Sequence, residues 1–434
     1  MDMTGRQLWN GGRLVIVAMV LVVFASCATT RNARFVEIDD TAAQGSFASA
    51  AEMVESGRTD LYSEGDRLLY YLDSGMLHFY AEEYDQSIQR FNEAEFLIEE
   101  LFTVSVSQAT ATFLLNDTVQ DYAGEDFEDI YLNVFKAVAF LNQGAYESAL
   151  VEIRRINNKL NLLEDKYVGL AEQYSRADEA AVDVEPGEAR FYNSALGRYL
   201  GVVLRRADDD WSGARIDWEN MQEAFRQQSN LYDFPLPFDR SISQPADQPR
   251  LSVLSFTGRA PIKVAETLRV VTAENWVNIE FESENQRGEL VPQEWASFPF
   301  PGVEGGYRFV FRLPRMQLRG SEVDRIRVMV DGRPVGELSL LEDIERIAQD
   351  TFGIKQPIIF LKTVTRAIVK GIAAERGKEG IDQAASDSGS VLGTILGIAG
   401  NIATDVAVEA SEQADLRVSR YFPAYAHAAE FELP

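Results

Sequence analysis

The sequence predicts a protein of mixed helix and sheet, in which an α-solenoid of helical hairpins precedes an α+β domain. Aromatic and aliphatic residues recur at spacings of three and four from Asp66 to Gln228, which is typical of amphipathic helices. From Leu251 onward the apolar period falls toward two, as in strands. Four prolines lie in residues 232–250 and indicate a linker, because proline cannot continue a helix. At 434 residues, 46% of them hydrophobic, the chain can bury at least two cores.

The first 26 residues have the features of an export signal. Arg6 and Arg13 precede an apolar run from Leu14 to Ala25, and small residues lead to Cys27, the only cysteine of the sequence. The run is shorter than the roughly 20 apolar residues that a bilayer-spanning helix needs. We therefore expect this segment to direct export and to be removed.

The four residues Phe24-Ala25-Ser26-Cys27 resemble the lipobox of bacterial lipoproteins, with Phe24 in place of the usual leucine. The resemblance implies cleavage before Cys27 and a diacylglycerol on its thiol. Because Ala28, and not Asp, follows the cysteine, it also implies an outer-membrane location facing the periplasm. The alternative is an ordinary signal peptide in which the cysteine is incidental.

Composition restricts the partners and the chemistry. The chain has 68 acidic and 41 basic residues and a net charge of −27, which becomes −28 once residues 1–26 are removed. Such a charge disfavours nucleic acid and anionic lipid surfaces, so membrane attachment would rest on acyl chains at Cys27. His78 and His427 are the only histidines, which nearly excludes a zinc site. We expect no cofactor and no metal.

The helical region contains three imperfect repeats. A small residue and aromatic residues recur in each, and this skeleton resembles that of tetratricopeptide repeats, where small residues let two helices approach and aromatics fill the space between hairpins. The three copies are Gly75, Tyr84, Ser87, Phe91 and Ala94; Ala137, Phe140, Tyr146, Ala149, Ile153 and Ile156; and Val202, Trp211, Ala214, Trp218 and Met221.

The spacing of the repeats exceeds that of tandem tetratricopeptide units. Tyr84, Tyr146 and Trp211 are 62 and 65 residues apart, whereas tandem units recur at about 34 residues. Each interval therefore contains an extra segment, 101–130 and 166–190, which we interpret as degenerate helices of the same solenoid. The alternative is a generic helical bundle.

By the same resemblance, the first helix of each repeat would line a concave groove for a protein or peptide. Aromatic residues and an arginine in such a groove would be typical binding anchors. The expected groove residues are Leu69, Leu72, Met76 and Phe79; Tyr131, Val134 and Val138; and Leu196, Tyr199, Val203 and Arg206.

The second half is predicted to alternate between sheet and helix. Arg325–Val330 and Arg333–Leu338 flank Asp331-Gly332, a pair that favours a tight hairpin turn. Three helices are expected next, at Leu340–Phe352, Pro357–Arg376 and Ser390–Ala414; the last two would form a helical hairpin with an exposed tip at 377–389. A final strand, Ala428–Leu433, would return to the sheet.

These patterns give the following expected division of the chain. It comprises a signal peptide (1–26), a tether rich in small residues (27–60), a tetratricopeptide-like helical domain (61–231), a linker (232–250) and an α+β domain (251–434). The α+β domain has a β-rich part (251–340), a helical part (341–415) and a final strand (416–434).

Four passages together resemble a family of bacterial lipoproteins with tetratricopeptide-like repeats, whose members look like exported envelope proteins. The passages are Asn116-Asp117 with Tyr122–Glu128, Ala149–Leu160, Pro249–Leu254, and Asp343-Ile344 continuing to Ala367–Lys370. The resemblance covers most of the chain from about Asp66 and implies no particular reaction.

An acidic cluster is the best candidate for chemistry. It consists of Asp117, Asp121, Glu125, Asp126, Glu128 and Asp129. Paired carboxylates could serve glycan hydrolysis, but the spacing does not fit a calcium loop, and acidic residues are also favoured in the first turn of a helix. We therefore predict no catalytic residue and a lipid-anchored scaffold or adaptor that binds an envelope protein or peptide. A glycan hydrolase and a purely structural envelope component are the alternatives.

Overall fold

The computed structural model describes residues 34–107, 117–175, 186–284, 290–300, 303–306, 308–387 and 414–433. The chain is a mixture of helix and sheet, with a helical region first and strands after it. The expected signal peptide, Cys27 and all but the last residue of Ser390–Ala414 lie outside the described residues. Within the described residues, no helix has the length and apolar character needed to cross a bilayer.

The segment expected to be a tether is helical from residue 34, which corrects the sequence prediction. It forms α1 (34–43), α2 (Phe47–Ser56) and the short α3 (Arg58–Leu61). Ile38, Ala50 and Val54 are buried, and α2 packs on the next long helix. The small side chains led us to expect a flexible segment. They instead allow α2 to pack closely on that helix.

The helices that the structure describes between Arg67 and Gln227 form three consecutive pairs. They are α4 (Arg67–Tyr80) with α5 (Tyr84–Ser107), α6 (Asp126–Asn142) with α7 (Tyr146–Ser175), and α8 (Ala195–Ala207) with α9 (Trp211–Gln227). Small residues allow the close approach: a Cβ at Gly75 would lie 2.7 Å from the Phe91 ring, and one at Gly201 would lie 2.6 Å from the Asp217 carboxylate.

The extra residues between the repeats lengthen helices instead of adding further pairs to the described chain. The second helices of the first two pairs contain 24 and 30 residues. Residues 101–107 therefore complete α5, and 166–175 complete α7. The wide repeat spacing follows largely from these long second helices.

The strands form two antiparallel sheets and a separate hairpin. The strands are β1 (Arg250–Thr257), β2 (Ile262–Ala273), β3 (Trp276–Glu284), β4 (Leu290–Pro299), β5 (Arg308–Gln317), β6 (Arg327–Val330), β7 (Arg333–Glu337), β8 (Ser339–Asp343) and β9 (Tyr425–Glu432). One sheet has the order β1-β9-β8 and the other the order β4-β3-β2-β5. The final strand thus does return to a sheet and becomes its centre.

The predicted hairpin on Asp331-Gly332 is confirmed. Strands β6 and β7 pair with Val330 opposite Arg333, and Asp331 and Gly332 adopt φ angles of 49° and 76°. The helix expected to start at Leu340 is wrong at that position, because Leu340 lies in β8 and pairs with His427 of β9. Leu340 is a strand residue because it pairs with β9. This partner is distant in the sequence, so the residues around Leu340 do not reveal the pairing.

A single helix, α10 (Ile344–Asp387), replaces the two helices expected at 340–352 and 357–376. The backbone is helical through Pro357 and from Gly377 to Asp387, so the predicted break and most of the predicted tip are wrong. A neighbouring segment lies against the helix near the proline: the Gly187 N–H donates to the Ile354 carbonyl over 2.8 Å. Proline removes the donor for the Gly353 carbonyl, so this contact lies one residue from the interrupted hydrogen bond and packs a segment on the helix at that turn.

One hydrophobic cluster joins the helical pairs to the three-stranded sheet. The Phe135 ring of α6 lies 5.0 Å from the ring of Phe79 in α4, 4.9 Å from that of Phe256 in β1 and 5.8 Å from that of Phe422. Tyr232, in the segment expected to be a linker, is also buried in this cluster. Residues 232–250 therefore pack against the helices.

Candidate functional site

The acidic cluster lies beside a cavity of about 200 Å³ where several parts of the chain meet. The loop before α6, the ends of α5 and α7, strand β2, helix α10 and the segment 415–417 all contribute to it. Apolar side chains form much of the wall, and charged groups gather at one side. The apolar contributors include Ile98, Phe102, Tyr122, Tyr167, Leu170 and Ile358.

Glu125 is the most enclosed carboxylate facing this cavity. It precedes the first turn of α6 in an extended conformation, and its side chain and that of Glu128 form a reciprocal capping box with the backbone. The Lys263 ammonium from β2 pairs with Glu125 Oε1, and the Lys355 ammonium from α10 lies 2.6 Å from Oε2. Burial alone would lower the pKa of Lys355, but attraction by Glu125 and then Asp126 outweighs it and raises that pKa.

Asp126 and Asp117 are also paired with lysines. The Lys166 ammonium lies 2.6 Å from Asp126 Oδ1, and the Tyr167 hydroxyl donates to Oδ2 over 2.6 Å. The Lys362 ammonium lies 2.7 Å from Asp117 Oδ1. Burial opposes ionisation of both carboxyls, yet the neighbouring lysines keep the pKa of each below its usual value. Both groups therefore stay ionised at neutral pH.

Glu128 has the opposite perturbation. Burial, followed by repulsion from Glu125, raises its pKa to about 7. Its oxygens accept hydrogen bonds from the Tyr122 hydroxyl (2.7 Å), the Glu125 N–H (2.7 Å) and the Ser419 N–H (2.5 Å). The side chain is fully buried, so a substrate cannot reach it in this conformation.

The two remaining members of the cluster, Asp129 and Asp121, pair with other residues. Asp129 pairs with Lys159 of α7 at 2.7 Å, and the exposed Asp121 lies 3.9 Å from Arg67. The structure therefore brings Asp117, Asp121 and Glu125 to one cavity, whereas Asp126 and Asp129 lie outside its lining and form ion pairs with Lys166 and Lys159. Among the residues that the structure describes, no group of three or more His, Cys, Asp or Glu side chains could hold a metal ion.

Sequence reasoning missed the lysines that balance the carboxylates. Lys166, Lys263, Lys355 and Lys362 come from three different elements, so no local pattern joins them. The only signal is that Lys263, Lys355 and Lys362 interrupt otherwise apolar stretches of sequence. Isolated lysines of this kind are usually exposed, whereas here Lys263 and Lys362 are buried.

This arrangement of charges is better suited to holding elements of the chain together than to transferring protons. Glycoside hydrolysis needs two accessible carboxyl groups, one of them protonated. Here Asp117 and Glu125, which line the cavity, are paired with lysines, Asp121 lies near Arg67, and the carboxyl with the raised pKa is enclosed. The charged pairs instead join the loop before α6 to β2, α7 and α10.

The expected groove residues pack against the chain itself, so they do not line an open groove here. Eight of them are buried: Leu69, Leu72, Met76, Phe79, Tyr131, Val134, Leu196 and Tyr199; Val138, Val203 and Arg206 are partly buried. The reason is that α6 and α8 contact the three-stranded sheet, through Phe135 against Phe256 and through the hydrogen bond of Tyr199 to Glu430. Helix α4 contacts the segment before β9, where the Tyr80 hydroxyl donates to the Tyr421 carbonyl. These side chains therefore belong to the shared core.

The C-terminal strand β9 contacts two of the expected groove residues, Arg206 and Tyr199. Arg206 places one guanidinium nitrogen 3.0 Å from each oxygen of Glu430 in β9, and donates also to Ser252 Oγ over 2.8 Å. The Tyr199 hydroxyl donates to the same Glu430 carboxylate over 3.0 Å. The side chains expected to bind a peptide thus hold a strand of the same chain.

Searches for related proteins give no family assignment. No protein-family model, no curated protein and no solved structure matches the chain.

Proposed function

We propose that the protein is a lipid-anchored scaffold or adaptor of the bacterial outer membrane, facing the periplasm and binding an envelope protein without catalysing a reaction. The anchor would be Cys27, by its resemblance to a lipobox. Helix pairs with tetratricopeptide-like anchor residues would form the frame, and the family resemblance to exported envelope proteins supports this setting.

The observation that carries the adaptor role is the placement of large apolar side chains on the second helix of every pair. Phe96 of α5, Leu162 of α7 and Ile216 of α9 are 67%, 60% and 51% exposed. Because the first helices face the sheet of the same chain, we assign partner contact to these second helices. Aromatic and aliphatic side chains exposed in this way are typical anchors of protein interfaces.

The balanced charges of the acidic cluster support a non-enzymatic role. A glycan hydrolase would need one of Asp117, Glu125 or Asp126 to be released from its lysine and protonated. Zymography of the purified chain on cell-wall glycan tests the alternative directly: clearing that disappears in Asp126→Asn while the variant stays folded would favour the hydrolase.

The adaptor proposal is tested by site-specific photocrosslinking in intact cells. A photoreactive amino acid at position 96, 162 or 216 should yield the same crosslinked protein, identified by mass spectrometry. The matched control is position 322, which is also exposed but lies in the loop after β5. A crosslinking pattern identical at 322 and at the three helical positions would contradict the assignment.

The anchor is tested by Cys27→Ala. The wild-type chain should fractionate with membranes and require detergent for release, because the multiple acyl chains of a lipoprotein hold firmly. The variant should leave the membrane fraction while remaining folded. Retention of the folded variant in membranes would mean that another segment anchors the chain.

A further inference from the structure

A second cavity, of about 740 Å³, lies between the N-terminal helices and two loops of the sheets. The loop after β1 and the loop after β5 form its floor. Gly258 and Gly320 have φ angles of 69° and 68°, and a Cβ at Gly258 would lie 2.5 Å from the Gly320 carbonyl oxygen. Glycine is required where the two loops touch. The cavity is separate from the acidic cluster.

Two arginines, Arg259 and Arg319, line this cavity, and a third, Arg420, lies beside Arg319. Arg420 pairs with Asp39 of α1 at 2.5 Å. Arg319 instead donates to two backbone carbonyls, that of Ala260 over 2.6 Å and that of Arg420 over 3.2 Å. Within the described parts of the chain, neither Arg259 nor Arg319 forms an ion pair. Burial, followed by repulsion from Arg259 and Arg420, lowers the pKa of Arg319 to about 10.

For the partly buried Arg319 the lack of an acidic partner is unusual in so acidic a chain, whereas Arg259 is exposed. Other half-buried arginines have carboxylates beside them, as Arg90 has Glu55 and Arg206 has Glu430. Near the cavity, Asp39 is taken by Arg420, and Glu345 Oε1 accepts the backbone N–H groups of Arg319 and Gly320. Glu322 lies at the rim and is exposed. The Arg259 guanidinium and the Nη1 group of Arg319 thus remain for an anion, because Nε and Nη2 of Arg319 donate to the carbonyls.

The remaining lining adds a polar anchor and an apolar wall. Thr257 Oγ1 is buried and has no hydrogen-bond partner among the described residues, and Thr257 lines the same cavity. A buried hydroxyl in this state is costly unless a bound group or a water pairs with it. Phe47, Tyr80 and Phe256 also line the cavity, where they could contact an organic substituent.

We propose that this cavity binds the phosphate group of an organic phosphate. Guanidinium groups suit phosphate because their planar N–H donors match two of its oxygens at once. Arg259 and Arg319 would hold the oxygens, Thr257 would donate one further hydrogen bond, and the aromatic side chains would contact the organic part. The strong negative charge of the whole chain does not prevent this, because Asp39 in the lining is paired with Arg420 and the charge of the exposed Glu322 is screened by solvent.

The phosphate could belong to a free phosphate ester or to a phospholipid headgroup. Helix α1 begins seven residues after Cys27, and seven extended residues span at most about 25 Å. An acylated Cys27 would therefore keep this cavity close to the bilayer surface. Only this last step rests on the proposed anchor, whereas phosphate binding itself can be measured without it.

Titration of the full-length chain in a non-ionic detergent with glycerol 3-phosphate tests the site. Calorimetry should show saturable binding. Arg259→Gln and Arg319→Gln should each weaken it at least tenfold, and Thr257→Val about threefold. The matched control is Arg325→Gln, which removes the same charge from an exposed arginine outside the cavity. Arg259 is itself exposed, so its variant should stay folded even if Arg319→Gln does not.

Vesicle flotation distinguishes the two sources. The Cys27→Ala chain is used so that acyl chains do not cause flotation by themselves, with phosphatidylglycerol vesicles compared with vesicles of a neutral, phosphate-free glycolipid. Flotation with phosphatidylglycerol vesicles alone, reversed by glycerol 3-phosphate, identifies a phospholipid headgroup as the ligand. Binding of glycerol 3-phosphate without flotation of either vesicle identifies a free phosphate ester. Absence of saturable binding to glycerol 3-phosphate and to both vesicles overturns the proposal, as does equal weakening by Arg325→Gln. A failed crosslinking test would leave this result unaffected.

Discussion

Glu342 of β8 is a buried carboxylate that has four hydrogen-bond donors and, among the residues that the structure describes, no cation bonded to it. The hydroxyls of Tyr131 (2.6 Å), Tyr232 (2.8 Å) and Ser194 (2.8 Å) donate to it, and so does the Leu196 N–H (2.9 Å) in the first turn of α8. Burial raises its pKa, and the four donors oppose that rise. This one side chain therefore connects α6, α8, the segment after α9 and the three-stranded sheet.

We predict that Glu342→Ala lowers the free energy of unfolding by about 3 kcal/mol, because it leaves buried donors without an acceptor. Glu342→Gln should lower the free energy of unfolding by only about 1 kcal/mol. The amide oxygen can still accept the hydrogen bond from the Leu196 N–H, and the hydroxyl groups can rotate to bond the new amide group. Urea denaturation of both variants measures the difference. Equal losses in the two variants would show that the carboxylate charge, and not the hydrogen bonding, matters.

Buried carboxyls of this chain fall into two groups with opposite dependence on pH. Burial raises the pKa of Asp73 to about 6 and that of Glu128 to about 7, whereas Arg90 beside Glu55 and Lys159 beside Glu95 outweigh burial and lower those two pKa values to about 2. A raised folded-state pKa gives stability that is present at low pH and is lost as pH rises through that pKa. A lowered one gives stability that is lost as pH falls below the unfolded value.

We therefore predict maximum stability near pH 5, with a decline on both sides. Between pH 5 and 8, ionisation of Asp73 and Glu128 inside the core should lower the urea midpoint. Below pH 4.5, protonation of Glu55 and Glu95 should lower it again. Glu128→Gln should flatten the decline between pH 5 and 8, while the exposed Glu93→Gln should leave it unchanged. A wild-type midpoint that rises steadily from pH 5 to 8 would contradict the prediction.

At the scale of single elements, the helix pairs depend on glycine where two helices meet. A Cβ at Gly75 of α4 would lie 2.7 Å from the ring of Phe91 in α5, which is closer than real Cβ contacts allow. Gly169 of α7 has no atom within 4 Å of the same position. The two glycines therefore differ only in whether a neighbouring helix occupies the space of a side chain.

We predict that Gly75→Ala destabilises the protein by about 2 kcal/mol through forced repacking of Phe91. Gly169→Ala should stabilise it by about 0.5–1 kcal/mol, because alanine loses less backbone entropy in a helix. Thermal denaturation followed by circular dichroism measures both changes. A stabilised Gly75→Ala protein would mean that α4 and α5 are packed more loosely than the structure has them.

The sequence predicted those elements whose cause is local. The hairpin at Asp331-Gly332 and the helix pairs around Gly75 and Gly201 rest on residues close together in the chain. Pro357 was misleading because the Gly187 segment, which packs on α10 beside the proline, is distant in sequence. Leu340 was assigned to a helix because its partner in the sheet, His427, lies 87 residues later. At the candidate site, likewise, the acidic cluster was visible and the distant lysines were not.

At the scale of the whole molecule, the helical and α+β parts share buried surface. Phe135 contacts rings in α4, β1 and the segment before β9, and Arg206 holds β9 through Glu430. The Glu125 carboxylate is paired with lysines of β2 and α10. A division of the chain at residues 232–250 remains the prediction from its prolines, but these contacts cross it in several places.

The shared surface predicts that neither part folds alone. A fragment of residues 27–231 would expose Phe79, Phe135 and Tyr199 and leave Arg206 without Glu430. A fragment of 232–434 would leave Lys263 and Lys355 without Glu125. Unpaired buried charges and exposed aromatic rings both favour partly folded or aggregated states. We expect each fragment to bind a hydrophobic dye and to show no cooperative thermal transition, and we expect co-expression to restore a soluble complex.

The intact chain should correspondingly unfold in one step. Trp211 and Trp218 lie in the helical part and Trp276 lies in β3, so single-tryptophan variants report on each part separately. Variants that retain only Trp218 or only Trp276 should give the same urea midpoint as circular dichroism, because a shared core couples their unfolding. Two midpoints separated by more than about 1 M urea, with a cooperatively folded 27–231 fragment, would instead establish two independent domains and place the boundary at the proline-bearing segment.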